Sequence, residues 1–96
     1  YPSDIEAILR EHRDVEEVAV VGVASARWGE TPVAFIVPRP GVVIDTEGLR
    51  KWANARLGKL QRLHAIEEIA SLPRSTIGKV LKRELRGTYD NSAKRD

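Results

Sequence analysis

The stretch that decides the fold of this chain is a β-branched run, which reads Val18-Ala19-Val20-Val21-Gly22-Val23. The run is too apolar to have a solvent-exposed face, and a strand of this kind is predicted to be central and buried on both sides. After a loop over 24–30 comes a second apolar run, Val33-Ala34-Phe35-Ile36-Val37, which is stopped by Pro38. These two strands form the predicted nucleus of the sheet.

A helix is predicted before this nucleus, close to the first residue of the chain. Ser3 and Glu6 have the spacing of a capping box, in which each side chain satisfies a free backbone amide of the first turn. Ile5, Ile8 and Leu9 then fall on one face at helical spacing. The helix is therefore expected to pack its apolar side against the sheet.

A second helix is predicted after the second strand. Asp45 or Thr46 can cap its first turn, and Gly58 is its predicted stop signal. Its apolar stripe repeats at the helical period and consists of Leu49, Trp52, Ala53 and Leu57.

The last third of the chain predicts one strand and one helix. A short and more exposed strand is expected near 65–70, because Glu67 and Glu68 interrupt its apolar residues. A basic helix is predicted over 79–86, ended by Gly87.

The predicted fold is therefore α+β, with a small three-stranded, mostly antiparallel sheet packed with about three helices. Residues 1–87 form the predicted domain, and the polar segment 88–96 is predicted to be a flexible tail.

The composition is that of an ordinary soluble domain. The chain has 96 residues, of which 42% are hydrophobic and 31% charged, and this length suits one domain. Because cysteine is absent, disulfides and thiolate metal sites are excluded. No apolar run approaches the about 20 residues of a membrane helix, and no signal-peptide pattern is present, so we expect no membrane span and a cytoplasmic protein. His12 and His64 have no partner at metal-ligand spacing, and no metal site is predicted.

The net charge of only +2 argues against a nucleic-acid partner. Basic residues nevertheless crowd the C-terminal quarter, at Arg74, Lys79, Lys82, Arg83, Arg86, Lys94 and Arg95. RNA-binding sheets usually present exposed aromatic side chains, whereas Phe35 lies inside an apolar strand. A small basic nucleic-acid-binding module therefore stays as the alternative from another functional class.

The segment with the clearest chemistry is Pro73-Arg74-Ser75-Thr76-Ile77-Gly78-Lys79. With a helix predicted from Lys79 onward, the lysine would oppose the positive end of the helix dipole. A violation of this kind is expected where a residue serves a ligand rather than the fold. Gly78 removes side-chain bulk, so that the backbone can approach a bound group. The alternative interpretation is a turn followed by a basic, solvated helix.

Four blocks follow one another along the chain: Tyr1-Pro2-Ser3-Asp4-Ile5-Glu6, Val20-Val21-Gly22-Val23, Gly29-Glu30-Thr31-Pro32-Val33-Ala34-Phe35 and Leu72-Pro73-Arg74-Ser75-Thr76-Ile77-Gly78-Lys79-Val80-Leu81-Lys82-Arg83-Glu84-Leu85-Arg86. In their order and spacing they resemble the C-terminal domain of AMP-forming acyl-CoA synthetases, members of the adenylate-forming (AMP-binding) enzyme superfamily. The resemblance covers the chain from Tyr1 to Arg86.

The resemblance implies an acid–thiol ligase that works in two steps with one mobile C-terminal domain. ATP and a carboxylic acid first give an acyl-adenylate and pyrophosphate. The domain then rotates, and the thiol of coenzyme A attacks. The lysine that matches Lys79 is implied to be catalytic in the first step, where it contacts the carboxylate and α-phosphate oxygens. ATP and Mg²⁺ are implied to bind mainly on an N-terminal domain of the same enzyme, so the isolated domain is expected to be inactive.

The same resemblance implies that this domain contributes part of the coenzyme A tunnel. Trp28 matches a position that lines the pantetheine tunnel in some aryl-CoA synthetases, and Arg62 falls near a basic contact to the CoA nucleotide. Gly78 completes the implied binding residues. Leu63 stands in place of a common proline and Glu68 in place of a strand aromatic, and both departures weaken the expectation for the third strand.

Two other interpretations stay open within the superfamily. The chain could be the C-terminal subdomain of a carrier-protein-loading adenylation domain, or belong to a luciferase-like oxidase. The continuation Val80-Leu81-Lys82-Arg83-Glu84-Leu85 resembles CoA ligases more than peptide synthetases. A fatty acid or another carboxylate is the implied substrate, and its identity is not encoded in these residues because the acyl pocket is implied to lie on the N-terminal domain.

Overall fold

The computed structural model describes residues 1–27, 29–58 and 62–94. Within these residues the chain forms helices and strands in a mixed order. They are α1 (Pro2–Arg10), β1 (Val15–Ser25), β2 (Gly29–Pro38), α2 (Thr46–Asn54), β3 (Ala65–Glu68) and α3 (Lys82–Lys94). The predicted α+β class is confirmed. No helix in this part of the chain is long and apolar enough to cross a membrane.

The strands form one sheet in the order β1-β2-β3. β1 pairs with β2 in the antiparallel direction, with Val18 opposite Ile36, whereas β3 runs parallel to β2, with Ala65 opposite Val33. The sheet is thus mostly antiparallel, as predicted. The prediction that the run 18–23 forms the central strand is wrong, because β2 lies in the middle of the sheet. An apolar run shows that both faces of a strand are covered, and it does not show which strands flank it.

Helices cover both faces of the sheet, and the side chains of β1 alternate between them. Val20 belongs to a buried cluster with Leu9 of α1, on the face that α2 also covers. The next residue, Val21, belongs to a second cluster with Phe35 and with Leu85 of α3. Burying an apolar side chain of this size fully stabilises a fold by roughly 1.5–3 kcal/mol. The two clusters therefore explain how the domain holds together without disulfides.

Helix α1 begins differently from the prediction. It starts at Pro2 with Tyr1 as the N-cap residue, and the predicted capping box of Ser3 and Glu6 is wrong. The Glu6 carboxylate instead accepts a hydrogen bond from the Val20 N–H at 2.8 Å and forms an ion pair with Lys82 Nζ at 3.1 Å. Because β1 is an edge strand, its outward amide needs a partner, and this tertiary partner replaces the local cap.

We expect Glu6→Ala to lower the free energy of unfolding by about 1–3 kcal/mol, because it leaves the buried Val20 N–H without an acceptor. Glu6→Gln is the matched control, since the amide oxygen can still accept this hydrogen bond and only the ion pair with Lys82 is lost. Urea denaturation of both variants measures the difference. Equal losses would show that the ion pair, and not the backbone contact, is the stabilising interaction.

Helix α2 has the predicted start and an earlier end. Asp45 is its N-cap, and its Oδ1 accepts from the Gly48 N–H at 3.0 Å. The helix ends at Asn54, before the predicted stop at Gly58. The Asn54 side chain binds both backbone groups of Leu63, donating to the carbonyl at 3.1 Å and accepting from the N–H at 2.7 Å. These bonds attach the end of α2 to the segment before β3, and Leu63 is itself buried in the core.

Helix α3 is longer and begins later than predicted. It runs from Lys82 to Lys94, so both the predicted start at Lys79 and the predicted end at Gly87 are wrong. Gly87 costs an α-helix roughly 1 kcal/mol relative to alanine, and packing of Leu85 and Tyr89 on the second cluster offsets that cost. Residues 88–94 are therefore helical, and the flexibility of the polar segment 88–96 stays a prediction.

Candidate active-site hairpin

The predicted catalytic lysine lies in a tight hairpin over residues 73–81, called the Lys79 hairpin below. Backbone bonds join its two arms, since the Ser75 N–H donates to the Lys79 carbonyl at 2.8 Å and the Leu81 N–H donates to the Pro73 carbonyl at 2.8 Å. The Ser75 hydroxyl oxygen accepts from the Lys79 N–H at 3.2 Å. These three hydrogen bonds thus join the two arms of the hairpin on either side of Lys79.

Lys79 is exposed and precedes α3, which begins at Lys82. The prediction that this charge opposes a helix dipole is therefore wrong, because Lys79 does not lie in a helical turn. Its ammonium group forms no salt bridge with the residues that the structure describes. The amine can therefore meet an anion held outside this domain, and its catalytic role stays a prediction.

Gly78 adopts a left-handed φ of +86°. Glycine takes this conformation at little cost, whereas residues with a side chain rarely adopt it. An added Cβ would meet nothing within 4 Å, so the turn conformation, and not crowding inside the domain, requires glycine here. The expected approach of a bound group to Gly78 stays a prediction.

A shallow basic depression lies beside the hairpin. Its charged lining comprises Lys79, Lys82, Arg83 and Arg86, together with the carboxylate of Glu84. Several positive charges around one depression raise the local concentration of anions. This surface therefore suits a ligand that carries phosphate or carboxylate groups.

Arg62, one of the residues predicted to contact coenzyme A, lies away from the Lys79 hairpin. Arg62 is exposed and lines a different depression with Arg50, Lys51 and Asn54 of α2. Arg50 is already engaged there, because it forms a hydrogen-bonded ion pair with Glu47 that lowers the pKa of this carboxyl. Arg62 is thus not brought into the depression of Lys79. Trp28 lies outside the described residues.

The structure adds contacts to the hairpin that no sequence pattern predicted. The Arg74 guanidinium donates to the Gly78 carbonyl at 2.8 Å and forms an ion pair with Glu17 of β1. Lys82, which follows the hairpin, pairs with Glu6. The Arg74 and Glu17 pair joins residues 57 positions apart, so no local spacing could reveal it.

Metal ligands are not assembled in the part of the chain that the structure describes, where no group of three or more His, Asp and Glu side chains could hold an ion. His12 has structural contacts instead. Its ring meets Trp52 edge-on with centroids 4.8 Å apart, and its Nδ1 accepts from the Asp14 N–H at 3.1 Å.

Proteins similar in sequence to this chain are carboxylate ligases. The chain is 40% identical over 86 residues to the 2-succinylbenzoate–CoA ligase of Geobacillus kaustophilus. This match covers 90% of this chain and 18% of that protein. It is 39% identical over 85 residues to the long-chain-fatty-acid–CoA ligase of Bacillus subtilis, covering 88% of this chain and 15% of that protein. The chain therefore spans less than a fifth of the length of either relative.

Solved structures share the same fold. ATP-bound MatB from Rhodopseudomonas palustris matches with a TM-score of 0.86 at 35% identity, over 93% of this chain and 18% of that chain. The amide bond synthetase McbA from Marinactinospora thermotolerans matches with the same TM-score of 0.86, at 35% identity and over 93% of this chain and 18% of that chain. The family described as AMP-binding enzyme C-terminal domain matches residues 4–79. This range includes β1, β2 and β3, and the Lys79 hairpin as far as Lys79 itself. The chain belongs to this family, the C-terminal domain of AMP-binding enzymes.

Proposed function

We propose that this chain is the mobile C-terminal domain of an ATP-dependent, AMP-forming acyl-CoA synthetase, and that Lys79 is its adenylation lysine. The observation that carries the proposal is an exposed lysine that forms no salt bridge among the described residues and is held in a hydrogen-bonded hairpin, in a chain whose sequence relatives include CoA ligases. The enzyme would act in the cytoplasm on a carboxylic acid, with fatty acids among the candidates because one relative is a long-chain-fatty-acid–CoA ligase.

The charge of Lys79 suits the adenylation step. A carboxylate that attacks the α-phosphate of ATP brings two anions together, and negative charge accumulates on the oxygens between them. An ammonium group with three donors stabilises that charge where water is excluded. The long lysine stem also lets the charge enter and leave the site as the domain moves.

The residues proposed for the second step are Trp28, Arg62 and Gly78. Arg62 and Lys51 lie around one depression, and their positive charges suit the phosphates of the coenzyme A nucleotide. ATP and Mg²⁺ are proposed to bind mainly on the N-terminal domain. This chain would supply the lysine and part of the tunnel, and the N-terminal domain would supply the remaining groups.

The proposal predicts a defined set of products. With ATP, Mg²⁺, coenzyme A and a panel of carboxylic acids, the full-length enzyme is expected to release pyrophosphate and AMP and to consume free thiol only when an accepted acid is present. Chromatography of the nucleotides and a thiol assay measure this. The 96-residue chain alone is the control and is expected to form no adenylate. Release of ADP, or adenylate formation by the isolated chain, would contradict the proposal.

A carrier protein is the second candidate acceptor. This chain is 38% identical over 89 residues to the fatty acid–[acyl-carrier-protein] ligase ScoC of Streptomyces coeruleorubidus, covering 93% of this chain and 17% of that protein. Both acceptors present a pantetheine thiol, so the domain could serve either one. Thioester formation with free coenzyme A supports the first candidate, whereas formation only with a phosphopantetheinylated carrier protein supports the second.

A further inference from the structure

Arg74 connects the tip of the Lys79 hairpin to the sheet. One nitrogen of its guanidinium, Nη1, donates to the Gly78 carbonyl at 2.8 Å. The other, Nη2, forms an ion pair with Glu17 on β1. The planar fork of the guanidinium fixes these two bonds relative to each other. The peptide group between Gly78 and Lys79 is therefore bound, through one side chain, to a strand of the core.

That peptide group is the one whose orientation most needs fixing. Gly78 lacks a side chain and is less restricted in its backbone angles than any other residue type. Its carbonyl belongs to the peptide that carries the nitrogen of Lys79, so rotation of this peptide redirects the lysine. A bond to the Gly78 carbonyl limits this rotation before the domain meets its substrate.

We propose that Arg74 and Glu17 are positioning residues that orient Lys79 for adenylate formation. The proposal rests on the proposed adenylation role of Lys79. Neither residue touches the substrate in this mechanism, since both act through the Gly78 carbonyl. Holding a reacting group in a productive geometry accelerates a reaction, and a displacement of about 1 Å can slow it on the order of 10²-fold.

The exposure of the pair separates positioning from stability. The Arg74 and Glu17 side chains are 44% and 39% exposed, and ion pairs as exposed as this contribute little to folding. The C-terminal end of the hairpin has a second attachment that does not involve Arg74, because the next residue, Lys82, forms an ion pair with Glu6 at 3.1 Å. Loss of the Arg74 contacts should therefore remove the bond on the carbonyl side of the Gly78–Lys79 peptide and leave the fold intact, while the N–H of this peptide keeps its bond to the Ser75 hydroxyl at 3.2 Å.

The chain offers a closely matched control in Arg39. Its Nε donates to the Arg13 carbonyl at 2.8 Å, and its Nη1 pairs with Glu16 of β1 at 2.7 Å. Arg39 thus makes the same kinds of contact as Arg74, to one backbone carbonyl and one glutamate of the same strand. Its contacts do not involve the Lys79 hairpin.

The test measures the two half-reactions separately in the full-length enzyme. Arg74→Ala is expected to lower kcat of adenylation by about 10- to 100-fold, with KM for ATP unchanged and with thioester formation from supplied adenylate unchanged. Arg74→Lys is expected to recover part of the rate, since an ammonium can bind one of the two partners. Glu17→Gln is expected to give a smaller loss, because the Gly78 contact remains. Arg39→Ala is expected to match the unmodified enzyme.

Three outcomes would overturn the proposal. In the first, Arg74→Ala has the same adenylation rate as Arg39→Ala, while Lys79→Ala abolishes adenylation. The positioning role of Arg74 is then wrong, and the proposed function of Lys79 is retained. In the second, Arg74→Ala lowers both half-reactions equally together with Tm, and Arg74 is then a folding residue. In the third, Lys79→Ala leaves adenylation unchanged, and the proposed function fails with the positioning role. Support requires that Arg74→Ala adds no further loss in the Lys79→Ala background.

Discussion

Replacing Lys79 with alanine in the full-length enzyme is expected to slow adenylate formation by several orders of magnitude, on the order of 10³-fold. In the proposed function, this substitution removes the positive charge that would meet the carboxylate and phosphate oxygens as negative charge builds up between them. Thioester formation from a supplied adenylate is expected to continue nearly unchanged, because in the proposed function that step takes place after the domain has rotated and Lys79 has left the site. Pyrophosphate release and thiol consumption measure the two steps separately.

Two control variants sharpen this experiment. Arg10→Ala removes one exposed positive charge from α1, on the side of the sheet that α3 does not cover, and adenylation is expected to stay unchanged. Lys79→Arg keeps the charge but replaces a compact ammonium by a planar fork, so recovery is expected to be incomplete. If Lys79→Ala lowers both half-reactions to the same extent, the residue serves folding or docking, and the proposed role is wrong.

The second large effect is expected for Leu85→Ala, which should lower the free energy of unfolding by about 2–5 kcal/mol. Leu85 has 0% exposure in the cluster beneath α3, and its truncation removes buried surface and leaves a cavity. A domain of this size has a modest total stability, so a loss of this magnitude is a large fraction of it. Chemical denaturation of the chain followed by circular dichroism measures the change.

Arg83→Ala is the matched control for Leu85→Ala. Arg83 lies on the same helix with an exposed side chain, and its replacement is expected to change the free energy of unfolding by no more than about 0.5 kcal/mol. Similar midpoints for the two variants would show that α3 is not held to the sheet by this contact.

Local patterns predicted much of this domain. The run 18–23 became a strand buried on both faces, and Asp45 caps α2 as expected. The segment 73–79 predicted Lys79 as the candidate catalytic residue, and the structure shows this lysine exposed. Each of these features depends on residues close together in the chain, where period, cap and turn signals operate.

Predictions failed where distant partners compete with local signals. Glu6 has the spacing of a capping residue, yet it binds Val20 and Lys82. Gly87 resembles a stop signal, yet α3 continues through it because residues on both sides of it pack against the sheet. In both cases a tertiary contact outweighs a local preference that contributes only about 1 kcal/mol.

The sequence by itself determined the strands, the two-sided burial of β1 and the segment that bears the lysine, because alternation and turn residues act over a few positions. Only the tertiary structure decided that β1 lies at an edge, that α3 begins after Lys79, and that Arg74 reaches Glu17. The physical reason is that the residue pattern of a strand depends on whether its two faces are buried, and this pattern can be read from the sequence. The hydrogen-bond partner of an edge amide or a guanidinium is instead the group that the folded chain places within about 3 Å of it.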